Sequence, residues 1–275
     1  MSSGMEEISK RQHQHHFVLV HGLCHGAWCW YKVATVLESA GHRVTALDLP
    51  ACGASAVRAE EVRSFQEYSR PLLRVVAAAP PREKVVLVGH SFGGHNLALA
   101  MEAHLEKVAV AIFVSAPMPV AGWPMSAVLE QHLQGDSASH SFLDCTFGIV
   151  GRGSENPAET FLVGPEWMSR RMYQLSPPED LTLARLLVRP AQMFLRDEVM
   201  TGEKVLMEGR YGVVSRVFVV AEEDKTWPAK EQRRMAASYG PRMEVRAIRG
   251  ADHMPMFSKQ AELAQLIMEV AEKYS

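Results

Sequence analysis

Ten consecutive residues limit what this chain can become more than any other stretch: Val85-Val86-Leu87-Val88-Gly89-His90-Ser91-Phe92-Gly93-Gly94. The apolar run Val85 to Val88 suits a buried strand, Gly-His-Ser-Phe-Gly breaks it abruptly, and Asn96 to Glu102 resumes as a helix. A strand, a sharp turn and a helix with serine at the turn make a nucleophile elbow. Chemistry demands that shape, because a serine hydroxyl at its ordinary pKa is a weak nucleophile and must stand exposed where a base reaches it. Glycines at positions 89 and 93 leave out side chains where strand and helix approach closely. Gly-x-Ser-x-Gly also occurs as an ordinary glycine turn in α/β chains, so Ser91 is weighed by the partners the rest of the chain supplies.

The segments around the elbow alternate between strand and helix. Phe17 to Val20 is a short strand run closed by His21-Gly22, and Trp28 to Ala40 carries apolar residues at helical spacing with Gly41 as its stop. Arg43 to Leu47 reads as a second strand, Phe65 to Ala79 as a helix ending at Pro80-Pro81, and Val108 to Val114 as a continuous apolar strand after the elbow helix. This alternation predicts an α/β fold, a mostly parallel central sheet with helices on both faces, whose ligands bind beyond the carboxyl ends of the strands. Ser91 sits at such an end.

From Pro117 to Asp197 the rhythm breaks, with short helices suggested at Leu129 to Leu133, Glu166 to Gln174 and Pro178 to Leu187. We read this stretch as a lid inserted into one domain that spans residues 16–275, after a flexible leader over residues 1–15. The lid's Trp123, Met125, Phe142, Phe147, Phe161, Trp167, Met168, Tyr173, Met193 and Phe194 favour, as a set, an apolar pocket over Ser91, although any one of them can simply pack the lid to the core. Strand character returns at Arg216 to Ala221 and Met243 to Ile248, separated by a helix from Trp227 to Ser238, and Gln260 to Tyr274 closes the chain as an amphipathic helix.

Serine needs a base, and the base needs an acceptor that fixes its tautomer. The loop after the last strand offers His253, and the loop after the preceding strand offers Asp224, in the order serine, acid, histidine. Glu222, Glu223, Asp197 and Asp252 are other candidates for the acid, with Asp224 ranked first because it lies deeper in its loop, whereas Asp252 is badly placed to reach its own neighbour's ring. The backbone N–H groups of Leu23 and Phe92 are the expected oxyanion donors, with Gly22 allowing close approach. His21, His25, His90 and His95 are read as structural or pocket-lining.

Composition removes other classes of function. With 29 basic and 31 acidic residues, the net charge of -2 leaves no electrostatic footprint for nucleic acid or an anionic membrane, which leaves a small molecule as the partner. Cys24, Cys29, Cys52 and Cys145 show neither a disulfide framework nor zinc spacing, and together with the lack of an apolar leader they point to a reducing, cytoplasmic setting. A metal site at His13, His15 and His16 is weaker than the reading of a polar leader, so no metal is expected.

The stretches His16 to Trp28, Gly41 to Leu49, Val88 to Gly94 and Gly250-Ala251-Asp252-His253-Met254, with Leu186 to Pro190 and Glu223-Asp224-Lys225, resemble the plant methylesterase and hydroxynitrile lyase family. The resemblance spans nearly the whole chain after the leader. It implies the α/β-hydrolase fold with a lid, the triad Ser91, Asp224 and His253, no cofactor, and relatives that often pair as homodimers. Members that split cyanohydrins carry threonine at the position of Gly22 and lysine at that of Met254, and this chain has neither. The resemblance therefore implies a serine esterase that releases small, largely apolar acids from methyl esters, of which salicylate, jasmonate and indole acetate esters are the family's examples. Gly22, His25, His90, Trp123, Phe142 and Met254 are the expected substrate-pocket residues, with Phe142 standing where the family commonly has tryptophan.

Overall fold

A computed structural model describes residues 14–134, 142–150, 158–239 and 243–274. The expected leader falls largely on residues 1–13, outside the described residues, as does His13. The strands are β1 (His16–Val20), β2 (Arg43–Leu47), β3 (Val85–His90), β4 (Val108–Val114), β5 (Thr146–Val150), β6 (Ala158–Leu162), β7 (Ala191–Gln192), β8 (Arg216–Ala221) and β9 (Glu244–Ile248). The helices are α1 (Tyr31–Ser39), α2 (Phe65–Ala77), α3 (Gly93–Ala103), α4 (Ala127–Gln134), α5 (Pro165–Trp167), α6 (Pro178–Leu187), α7 (Glu198–Thr201), α8 (Ala229–Ala237), α9 (Pro255–Ser258) and α10 (Gln260–Tyr274).

Six strands form one parallel sheet in the order β2-β1-β3-β4-β8-β9. Its central strands are apolar on both sides because both faces are covered. Leu19, Val86, Val88, Ile112 and Val219 point into a core closed by Leu37 of α1 and Ile267 of α10. The alternate positions Val20, Leu87, Phe113 and Phe218 point into a second core with Leu72 of α2 and Leu97 of α3. The chain passes from β1 outward to β2 and then crosses to β3 on the other side of β1. The order reverses between β1 and β3, and the loops leaving those two strands splay apart to leave a crevice. Those loops begin at His21 and Ser91.

The expected lid contains a feature that its sequence pattern did not show, a three-stranded antiparallel sheet β5-β6-β7 with Phe147 opposite Phe161 and Thr160 opposite Gln192. Alternation is absent from β5 because most of that strand is exposed, so neither face had to be apolar. Between β6 and α6 the chain makes α5 and one π-helical turn, Met168–Met172. Asp180 of α6 ties the lid to α1, accepting bonds from Tyr31 Oη at 3.0 Å and Lys32 Nζ at 2.5 Å.

His15 and His16 are engaged structurally, His15 Nε2 with Glu272 at 3.1 Å and His16 Nε2 with Thr45 Oγ1 at 2.8 Å. Among the described residues no helix is long and apolar enough to cross a membrane.

Candidate active site

The elbow forms as its pattern predicts. β3 ends at His90, Ser91 adopts a left-handed φ of 49°, and α3 starts at Gly93, sooner than its apolar pattern suggested because the turn itself is the helix N-terminus. A β-branched or bulky residue at such a φ is strained, and a small serine tolerates it only where the surroundings fix the turn. Gly93 shows what fixes it: a Cβ there would sit 2.9 Å from the carbonyl oxygens of Val20 and His21. Gly94 N–H donates to Ser91 O at 2.9 Å and Ser91 N–H to Val114 O at 3.2 Å, so the turn is tied to its own helix and to β4.

Asp224 follows β8 and His253 follows β9, and adjacent strands place the two loops side by side. Glu223 N–H donates to Ala251 O at 2.9 Å and joins the loops directly. His253 Nδ1 lies 2.8 Å from Asp224 Oδ2, with both side chains almost completely buried. A carboxylate can only accept here, so Nδ1 carries the proton and Nε2 is left as the basic nitrogen. The other donors to Asp224 are the Thr226 and Trp227 amides, each 2.8 Å from Oδ1, and Gln232 Nε2, 3.0 Å from Oδ2. A buried carboxylate with all its lone pairs satisfied stays in one orientation.

Gly22 brings the loop after β1 against the nucleophile. A Cβ at that position would stand 2.8 Å from Ser91 Cβ and 3.3 Å from Ser91 Oγ, closer than real side chains pack. His21 braces this loop, its Nδ1–H donating to Gly22 O at 2.7 Å while Nε2 accepts from Leu49 N–H at 3.2 Å; burial lowers its pKa and keeps the ring neutral. Leu23 and Phe92 both border the cavity that contains Ser91 and His253.

That cavity has a volume of about 240 Å³. Apart from Ser91 and His253 its wall is mostly apolar, with Phe142, Phe161, Val163, Trp167 and Met193 supplied by the lid. The arrangement can activate a hydroxyl beside a carbonyl carbon and surround an apolar group attached to it.

A family model described as "Alpha/beta hydrolase family" matches residues 17–266. The chain belongs to the α/β-hydrolase family. It is similar to "Probable esterase PIR7A" of Oryza sativa subsp. indica, at 49% identity over 259 residues that cover 94% of this chain and 97% of that protein. It is also similar to "Methyl jasmonate esterase 1" of Vitis vinifera, at 46% identity over 265 residues that cover 95% of this chain and 98% of the relative. Among solved structures, that of polyneuridine aldehyde esterase matches with a TM-score of 0.89 and 42% identity, covering 94% of this chain and 100% of that one. This kinship makes the α/β-hydrolase a carboxylic ester hydrolase of the plant esterase and methylesterase group.

The expected pocket residues of this α/β-hydrolase divide. Phe142 lines the cavity; Gly22, His25, His90, Trp123 and Met254 are not among its lining residues. Trp123 is 58% exposed and faces a separate groove between α4 and α8. His90 is buried behind the elbow, where its Nε2–H donates to the His253 carbonyl at 2.7 Å and burial lowers its pKa well below the ordinary value. Met254 is fully buried in the core. Burial also pushes the Cys24 thiol to about 12, which makes it a packing group rather than a nucleophile.

Of the rival acids, Asp197 caps α7 by accepting from Val199 N–H at 2.9 Å, and Asp252 binds backbone and hydroxyl donors on its own loop and the lid. Gln232 has no signature in the sequence, because a single glutamine on a polar helix pattern carries no signal. It is fully buried, its Oε1 accepts from Ala221 N–H and Ser115 Oγ at 3.2 Å each, and that fixes its amide toward Asp224. His132 has no sequence signature either; it lines the cavity from α4, stacks on Trp227 with ring centroids 4.8 Å apart, and pairs with Glu231 at 3.0 Å.

Proposed function

We propose that this chain hydrolyses methyl esters of small, largely apolar carboxylic acids through Ser91, His253 and Asp224. The observation that carries the reading is the 2.8 Å bond from His253 Nδ1 to Asp224 at the wall of the cavity that holds Ser91. His253 Nε2 takes the proton of Ser91 Oγ as that oxygen attacks the ester carbonyl carbon. The carbonyl oxygen becomes an oxyanion facing the Leu23 and Phe92 amides, each donor lowering the barrier by about 3 kcal/mol. The intermediate collapses, the C–O bond to methanol breaks, and His253 returns its proton to the departing methoxide oxygen. Water, deprotonated by the same nitrogen, then attacks the acyl-enzyme and releases the acid and Ser91.

Substrate class follows from the cavity. At about 240 Å³ it lies below the common range of small-molecule sites, roughly 300–1,000 Å³, which favours a compact acyl group, and its aromatic lid favours an apolar one. The methyl jasmonate esterase among the relatives supports hormone-type esters, in line with the examples methyl salicylate, methyl jasmonate and methyl indole acetate. A threonine at position 22, as in the cyanohydrin-splitting branch, would require Ser91 to move, and Met254 offers no charge for a departing cyanide. The four unpaired thiols accord with action in the reducing cytoplasm.

The test is turnover of those three methyl esters by the wild type and Ser91→Ala. Loss of methanol release by roughly 10⁶-fold in kcat is expected; equal turnover by the two proteins sinks the reading.

A further inference from the structure

Four consecutive lid residues reach three different loops of the site. Tyr173, the residue after the π-helical turn, has its hydroxyl 2.6 Å from His25 Nε2, and His25 Nδ1 lies 2.8 Å from the carbonyl oxygen of Leu23. A carbonyl only accepts, so Nδ1 carries the proton; burial keeps the ring neutral down to a pKa of about 4, so Nε2 accepts the Tyr173 O–H. The lid is thereby bonded, through one imidazole, to the residue whose amide faces the oxyanion. Gln174 Nε2 donates to the carbonyl of Glu223 at 2.7 Å, next to Asp224, and Thr226 Oγ1 returns a bond to Arg171 O at 3.1 Å. Leu175 N–H and Ser176 Oγ donate to Asp252 Oδ2 at 2.9 and 2.8 Å. The other oxygen of that fully buried carboxylate accepts from Met254 N–H at 2.9 Å and Ser258 Oγ at 2.8 Å, so the backbone is fixed on both sides of His253.

We propose that Tyr173–Ser176 is a positioning strap that holds the oxyanion loop, the acid loop and the histidine loop in mutual register, so that the lid sets the rate of the chemical step as well as covering the substrate. The three loops leave three different strands, β1, β8 and β9, and the sheet fixes where they start. Beyond the strand ends, register depends on side-chain bonds. Displacing one reacting group by about 1 Å costs on the order of 10²-fold in rate, so a strap that limits smaller drifts acts on kcat. The π-helical turn fits this role, since the extra residue it admits re-aims the chain just where Tyr173 must meet His25.

The strap rests on the Ser91 hydrolytic reading, and its test separates the two. Tyr173→Phe removes only a hydroxyl, because the ring remains stacked on His25 and Phe257 with centroids 6.0 and 5.7 Å away. With p-nitrophenyl acetate as substrate, Tyr173→Phe and Ser176→Ala should each lower kcat roughly tenfold with KM within about twofold. Ser176→Thr, which keeps the hydroxyl, should restore kcat, a rescue that a loss of packing alone does not give. Gln174→Ala alters a side chain outside the core and should lower kcat about threefold; it decides the matter if Tyr173→Phe does not fold. Wild-type kcat in these variants, with only Tm or KM changed, overturns the strap while a dead Ser91→Ala leaves hydrolysis standing. Wild-type turnover by Ser91→Ala brings down the hydrolytic reading and the strap with it.

Discussion

The sheet and the lid bury their residues in opposite ways. All six residues of β3 are buried, sandwiched between helices on both faces, whereas β5 in the lid exposes most of its residues and pairs antiparallel with a single neighbour. The sheet fixes where the reacting loops start, and the exposed strand β5 can vary the cavity wall at a distance from them. The seam between the two halves joins apolar packing by Trp167, Met168 and Met172 with buried polar bonds such as Tyr173 to His25 and Ser176 to Asp252. The sheet carries the reacting groups, β5 shapes the far wall, and the Tyr173–Ser176 bonds couple the two.

The largest effect expected on the sheet side after loss of Ser91 is that of Asp224→Asn. An asparagine that keeps its carbonyl toward the Thr226 and Trp227 amides must turn its NH₂ toward His253 Nδ1 and Gln232 Nε2. The histidine then carries its proton on Nε2 and has no lone pair for Ser91. A fall in kcat of roughly 10⁴-fold is expected with the fold retained, measured by steady-state turnover beside a circular dichroism melt. A loss of less than tenfold would place the acid elsewhere.

Phe218→Ala comes next. Phe218 is fully buried in β8 against helices of the second core, and its truncation should cost about 3–5 kcal/mol in denaturant unfolding. A cost below about 1 kcal/mol would mean that the sheet is no more tightly filled than the lid.

The seam has its own prediction, in pH. Burial holds His25 and His95 neutral, lowering each pKa from 6.5 to about 4. Both bridge the halves, His25 to Tyr173 and His95 by donating from Nε2 to the Met125 carbonyl at 3.0 Å. Between those two pKa values the unfolded chain binds more protons than the folded one, so stability is fully present above pH 6.5 and is lost as pH falls toward 4. From pH 7 to pH 5 each ring should remove about 2 kcal/mol, read as a shift in urea midpoint. His95→Gln should flatten the slope between pH 6.5 and 4; an unchanged slope would assign the acid sensitivity to other groups.

The same contrast explains what could be read from the residues. β3, β4 and β8 match their apolar runs because a strand covered on both faces must be apolar throughout, and Asp224 follows the end of one of them, whereas His253 follows β9, an edge strand that is largely exposed. β5 of the lid sheet shows no such signature because an exposed strand obeys no alternation. Residue type suits Trp123 to a pocket, yet type alone does not decide which side of the chain it faces, and it lines the groove between α4 and α8. Gln232 shows the deeper limit. Its importance comes from two bonds to Ala221 and Ser115 that orient its amide, and no local pattern encodes contacts between a helix and two different strand ends.

Phe147→Ala should give the smallest change in stability and the clearest separation of the two halves. Phe147 is 58% exposed on β5, yet it lines the cavity, meeting Phe142 edge-on with centroids 5.2 Å apart and Phe161 at the same distance. Truncating a largely solvated ring leaves little new cavity, so the unfolding free energy should change by about 0.5 kcal/mol or less. The substrate, in contrast, loses an apolar wall far from the carbonyl, and contacts made equally in ground and transition states appear in KM. KM for esters with bulky apolar acyl groups should rise about threefold to tenfold, while kcat and the KM for p-nitrophenyl acetate stay near wild type. A fall in kcat for every ester would show that β5 helps to align the reacting groups, extending the seam beyond Tyr173–Ser176 into the lid sheet. A drop of several kcal/mol in stability would instead make β5 part of the core, and the contrast between the buried sheet and the exposed lid strand would fail.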